Sequence, residues 1–191
     1  MFQRKKNRLR SILTLMLIAL IIATTAQARK KNIIFMIADG WGFNHILAAN
    51  CWNGSSPAYE TWKVKYGMST WPAGSGYNGA AAWADFGYPL YGFTDSAAAA
   101  TALSTGVKTY SGAIGIGPDH QPVEHILERA ESRGMATGVI TSVPISHATP
   151  AGFVAHNASR SNYAAIAKEM ITQSAIDVIM GAGHPLYSND G

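Results

Sequence analysis

One cysteine, Cys51, occurs in the 191 residues. That excludes an internal disulfide and any zinc site clamped by two thiolates. Stability therefore has to come from packing, metal or partner contacts. Charged residues are scarce at 14%. The apolar stretch from Ile12 to Ala23 is short of the about 20 residues that a membrane-spanning helix needs. Apart from that stretch and one alanine run, the chain has no long low-complexity tract and no internal repeat, which excludes solenoids and other repeat architectures.

The first residues carry an address. Arg4, Lys5, Lys6, Arg8 and Arg10 precede the apolar stretch, and Ala26-Gln27-Ala28 offers a small-residue cleavage site. Residues 1–28 thus read as a secretory signal peptide, which places the mature chain in the periplasm or outside the cell. Cleavage leaves residues 29–191, the size of one domain, with no stable membrane anchor. It also removes five of the fifteen basic residues and none of the eleven acidic ones, so the mature formal charge is −1. The positive balance of the uncleaved chain accordingly gives no reason to expect a nucleic-acid partner.

The richest segment is Thr94 to Gly106, TDSAAAATALSTG. An Asp-Ser pair ahead of four alanines predicts a helix with Ser96 in its first turn, where unpaired backbone N–H groups and the positive end of the helix dipole favour an anion. Alanine gives helix propensity without bulk, so other segments and a ligand can approach closely. An ordinary helix cap is the competing reading, and for these residues alone it is the stronger one. Asn32 to Ala38, NIIFMIA, reads as a buried strand that delivers Asp39 to its carboxyl end, where ligands collect in open α/β sheets. His147-Ala148-Thr149-Pro150 follows a second apolar run, and Arg160 offers a bidentate donor suited to phosphate oxygens. Taken singly, Asp39-Gly40 is a turn, Thr149-Pro150 a helix start and Arg160 a solvated charge.

In order, the segments IADGWG, TDSAAAATALSTGVKTYSGAIG and HATPAGFVAHNASR resemble the alkaline phosphatases, and the resemblance spans nearly all of the chain after the leader. It implies hydrolysis of phosphate monoesters with zinc (Zn2+) and magnesium (Mg2+), through a phosphoserine at Ser96. It further implies that Asp39 is a carboxylate shared by a zinc and a magnesium site, that Thr149 is a magnesium-site hydroxyl, and that Arg160 clamps the phosphate. His147 stands where members of the family carry aspartate or histidine, so its implied role is that of a metal ligand, directly or through water. The full-length family is often a homodimer. Sulfatases and nucleotide phosphodiesterases share the general fold, but the serine within TDSAAAATA points away from them. His156 lies in the same motif and reads as a structural histidine; His45, His120, His125 and His184 show no ligand spacing.

The fold class that follows is α/β, an open and mainly parallel sheet with helices on both faces, incomplete at the C-terminal end. Candidate strands are Asn32 to Ala38, Ser111 to Ile116, Met135 to Val143 and Ile176 to Met180. Val123, Ile126, Leu127 and Ala130 share a helix face between Pro122 and Gly134, and Tyr163, Ile166, Ala167 and Met170 share another after Ser161. Asn50 to Tyr91, rich in Gly, Trp and Tyr, has no clear period and reads as an aromatic-packed insertion, with a lid or an interface as the competing reading. Residues 29–191 therefore read as the amino-terminal part of an alkaline phosphatase-like domain, because the family's remaining zinc ligands and its magnesium-site glutamate come from later sequence. Two other readings stay open: a catalytically inactive fragment, or a structural piece that complements a separate second half. An unpaired edge at the last apolar strand predicts association of the isolated chain, read by sedimentation; a soluble monomer with a cooperative melt contradicts this.

Overall fold

The structure, a computed structural model, describes residues 32–182. The signal-peptide reading of residues 1–28, and His184, lie outside the described residues. The chain divides into two units at Ile37 and Ala38. In the first, residues 32–37 are exposed and carry no helix or strand, so Asn32 to Ala38 is not the buried strand that its β-branched run predicts.

The second unit begins with α1 (Phe43–Asn53), a 3₁₀ turn at Ala58–Thr61, α2 (Gly79–Ala84) and a 3₁₀ turn at Tyr88–Leu90. Neither α1 nor α2 has a buried residue. Trp52 and Trp83 are 91% and 94% exposed, so this segment is not aromatic-packed as its composition suggests. Two local contacts order parts of it: Trp41 meets Tyr59 edge-on at 5.7 Å, and Lys108 Nζ lies 4.0 Å above the Trp71 ring.

The core is built behind α3 (Ser96–Thr105). Asp95 caps this helix by accepting the Ala98 N–H at 2.9 Å, and Gly106 ends it in the left-handed region at φ 77°. Small residues let α3 and α5 (Ala148–Ala151) pack closely: Ala97 and Ala100 are buried in one cluster with Ala148 and Ala151. Two hydroxyls on α3 satisfy neighbouring backbone. Thr101 Oγ1 donates to Ala113 O and accepts from Gly115 N, and Ser104 Oγ donates to Gly152 O. Ile114, Phe153, Val154, Ile166 and Met170 complete the core, the last two from α6 (Tyr163–Thr172).

The sheet among the described residues is a parallel pair, β1 (Gly138–Pro144) and β2 (Val178–Ala182), joined through α5 and α6. Parallel neighbours need such a crossover, and its helices cover one face. Val139 and Ile179 point into the core, whereas Ile140, Val178 and Met180 are exposed. Both strands overlap the expected segments, Met135 to Val143 and Ile176 to Met180, but start two or three residues later and run past their ends to Pro144 and Ala182. Ser111 to Ile116 is not a strand, however. Gly112 and Gly115, at φ 92° and 57°, break it into a turn with two isolated bridges, Ile114 to Asn157 and Ile116 to Pro122. The helix expected from Val123 is the shorter α4 (Ile126–Glu131).

Gly152 marks the tightest approach of the packed helices, since a Cβ there would lie 2.6 Å from Ala100 Cβ. Its φ of −63° suits any residue, so the obstacle is steric alone. Gly152→Ala is expected to destabilise the fold by about 1–3 kcal/mol in urea unfolding, as overpacking does; an unchanged midpoint contradicts the close packing.

Candidate functional site

Helix α3 presents Ser96 because of what Asp95 does. One carboxylate oxygen of Asp95 accepts Ala98 N–H and so starts the helix; the other accepts Gly112 N–H at 3.0 Å and Arg160 Nη1 at 3.0 Å. Arg160 N–H in turn donates to Gly112 O at 2.7 Å, and the Ile114–Asn157 bridge ties the two loops together. The guanidinium is thereby held beside the helix start, with its side chain 26% exposed and that of Asp95 16%.

A second carboxylate meets the first turn of α3. Ser96 Oγ donates to Asp39 Oδ1 at 3.2 Å, and Thr149 Oγ1 donates to Asp39 Oδ2 at 2.9 Å. Asp39 sits in a turn with Gly40, whose φ of 67° is left-handed and needs no Cβ. Thr149 is supplied by α5, which starts after His147. Residues 57 and 110 positions away from Asp39 in sequence therefore share one carboxylate. His147 precedes this helix; its ring stacks on Tyr163 with centroids 6.4 Å apart, and its Nδ1 is buried with no hydrogen-bond partner.

Four of the five expected residues thus fall into two directly bonded groups joined by the Asp95-Ser96 peptide: Asp39, Ser96 and Thr149 in one, Arg160 in the other. His147 is placed by its helix two residues from Thr149 and makes no hydrogen bond to either group. Sequence reasoning missed that Asp95 holds Arg160; only the capping role is visible locally, because the two are 65 residues apart.

Fold and site define an α/β protein in which a helix-initial serine, two carboxylates and an arginine converge. The chain belongs to the alkaline phosphatase family, whose model, "Alkaline phosphatase", matches residues 30–190. It is 37% identical to alkaline phosphatase 4 of Bacillus subtilis over 85% of this chain and 35% of that protein. Identity to the alkaline phosphatase of Escherichia coli is 42%, over 70% of this chain and 27% of the relative. Among solved structures, the cold-active alkaline phosphatase of the psychrophile Shewanella sp. is similar with a TM-score of 0.51 and 45% identity, covering 63% of this chain and 27% of that one. The chain thus spans about a third of the length of these relatives or less.

The Asp95 carboxylate has a thermodynamic signature. Asp95→Ala is expected to cost about 0.5–2 kcal/mol in denaturant unfolding through the lost cap, while Asp95→Asn, an equally good cap, retains most of that. Equal stability of the alanine variant and the parent contradicts the role.

Proposed function

We propose that this chain supplies the nucleophile and phosphate-binding part of an alkaline phosphatase-type hydrolase, which cleaves phosphate monoesters through a phosphoserine at Ser96. The observation that carries this reading is the Asp39 carboxylate, which takes Ser96 Oγ on one oxygen and Thr149 Oγ1 on the other. A carboxylate and two hydroxyls are hard oxygen donors, the set that magnesium takes. Zinc also accepts carboxylate oxygen and favours imidazole nitrogen, for which His147 Nδ1, buried and unpartnered, is the available candidate. The donor chemistry thus fits Asp39 as the shared zinc and magnesium ligand, Thr149 as a magnesium ligand and His147 as an accessory one. When bound, these ions supply a lower pKa to a coordinated hydroxyl and compensate charge on the attacking and leaving oxygens.

The residues of the chain do the rest. Asp39 orients Ser96 Oγ, which attacks phosphorus as the ester P–O bond breaks and the alcohol departs with a proton. Water then attacks the phosphoserine, the P–Oγ bond breaks, and inorganic phosphate leaves with Ser96 restored. Arg160, steadied on one side by Asp95, holds the non-bridging oxygens, and the backbone N–H groups at the start of α3 add to their stabilisation. The phosphate alone is recognised, so broad monoester specificity follows. The leader over residues 1–28 directs this chemistry to the periplasm or beyond, and homodimer formation follows the full-length family.

The test is hydrolysis of a phosphate monoester with zinc and magnesium present. The chain from Arg29 onward is assayed both alone and joined to the remaining length of a related enzyme. Ser96→Ala is expected to abolish turnover with metal content unchanged, and Arg160→Ala to raise the phosphate inhibition constant about 10–100-fold, the loss of a charge-assisted contact. Equal turnover in Ser96→Ala, or an unchanged inhibition constant in Arg160→Ala, contradicts the assignment. Activity only in the joined form makes the isolated chain an inactive part of the enzyme.

A further inference from the structure

A second cluster of ligand-type side chains lies outside the Asp39 and Asp95 groups. His125, Glu128 and His156 bring one ligand atom each to within 4.8 Å of one another. His125 precedes α4 and Glu128 lies in its first turn, where Glu128 Oε2 caps the helix by accepting His125 N–H at 2.8 Å. The same oxygen is 3.1 Å from His125 Nδ1 and 3.8 Å from His156 Nε2. The two imidazoles face each other with centroids 4.2 Å apart, tilted by 32°.

His125 is the unusual member. Its side chain is fully buried, and neither ring nitrogen is in a hydrogen bond. Burial, followed by the neighbouring His156, pushes its pKa down to about 4, against the pull of Glu128, so the ring is neutral at physiological pH. A neutral imidazole has one N–H and one lone pair. Glu128 Oε2 lies at the Nδ1 edge and the Ala155 backbone at the ring's other contact, so either tautomer turns a lone pair toward an oxygen. A cation between Nδ1 and Glu128 removes that conflict, with Nε2–H left for Ala155.

We propose that His125 Nδ1, Glu128 Oε2 and His156 Nε2 form a metal site, distinct from the Asp39 group, for a divalent ion of the zinc type. Two imidazoles and one carboxylate are a zinc donor set. Tetrahedral ligands at about 2.0–2.2 Å from the ion sit roughly 3.3–3.6 Å from one another, and the separations of 3.1 and 3.8 Å bracket that range. Behind His156, Glu169 Oε1 lies 3.5 Å from Nδ1. That is the carboxylate–histidine arrangement that fixes the tautomer of a coordinating imidazole. Without metal, His156 Nε2 pairs with Val123 O at 3.2 Å. Loading places the ring proton on Nδ1, from which it donates a hydrogen bond to Glu169 Oε1. A pocket of about 320 Å³ gives access; Glu128, Glu131, His156 and Glu169 line it, and no lysine or arginine does.

The 191-residue chain carrying Asp39→Asn, which weakens the other group, is stripped with chelator and titrated with Zn2+ alone by calorimetry. Co2+ is added in parallel to read the ligand field by absorption. One zinc equivalent is expected. Added Glu128→Gln, which keeps an oxygen for the helix cap, is expected to abolish it together with the cobalt bands. Glu169→Gln is expected to weaken zinc about 10–100-fold, as loss of an outer partner does. Zinc uptake and a cobalt spectrum unchanged by Glu128→Gln overturn the site, as does the absence of any equivalent in the Asp39→Asn chain. Each variant is checked for the parent's melt; if Glu128→Gln fails to fold, His156→Gln is read by the same criteria.

Discussion

Three donors converge on the carboxylate of Asp95, and the rest of the site depends on that convergence. Ala98 N–H makes it a helix cap, Gly112 N–H anchors the glycine loop, and Arg160 Nη1 brings a cation from a distant segment to the same place. One side chain thereby sets where α3 begins, where Ser96 points from and where the guanidinium rests. Because the carboxylate is only 16% exposed, these contacts work against little solvent screening. Phosphate chemistry needs a nucleophile, orienting carboxylates and a fixed positive charge within one ligand's reach, and Asp95 and Ser96 are adjacent in the chain. The peptide bond between them couples the anchor to the serine hydroxyl.

Packing serves the same end. The alanines of α3 let α5 come close, and α5 carries Thr149 at the approach to Asp39. A core built of Ala97, Ala100, Ala148 and Ala151 buries little area per residue, but it fixes the distance between α3 and α5 more tightly than flexible side chains do. The largest fully buried apolar side chains lie elsewhere in the core, at Ile114, Ile166 and Met170.

The sequence was most legible where structure is local. Asp95, the alanine run and Gly106 specify α3 from cap to cap, and the spacing of Ile166 and Met170 marks the buried face of α6. The strand at Gly138–Pro144 and its partner at Val178–Ala182 were readable from apolar runs, though not their exact ends, which depend on pairing. Pairing is also why Asn32 to Ala38 misled: β-branched residues fit a strand, but its hydrogen bonds come from a neighbour that local sequence does not name. In Ser111 to Ile116 the signal against a strand was present, in Gly112 and Gly115. At the site, family order pointed to Asp39, Ser96, Thr149 and Arg160, while the Asp95–Arg160 pair and the His125–Glu128–His156 cluster arise from tertiary contacts across long separations.

The most direct test is to trap the covalent state. The chain joined to the remaining length of a related enzyme is incubated with inorganic phosphate, quenched in acid and digested, and the modified peptide is sequenced by mass spectrometry. Phosphate on Ser96, in the peptide that spans Thr94 to Lys108, is the predicted result. Phosphate on any other residue, or none on Ser96 while turnover persists, contradicts the account.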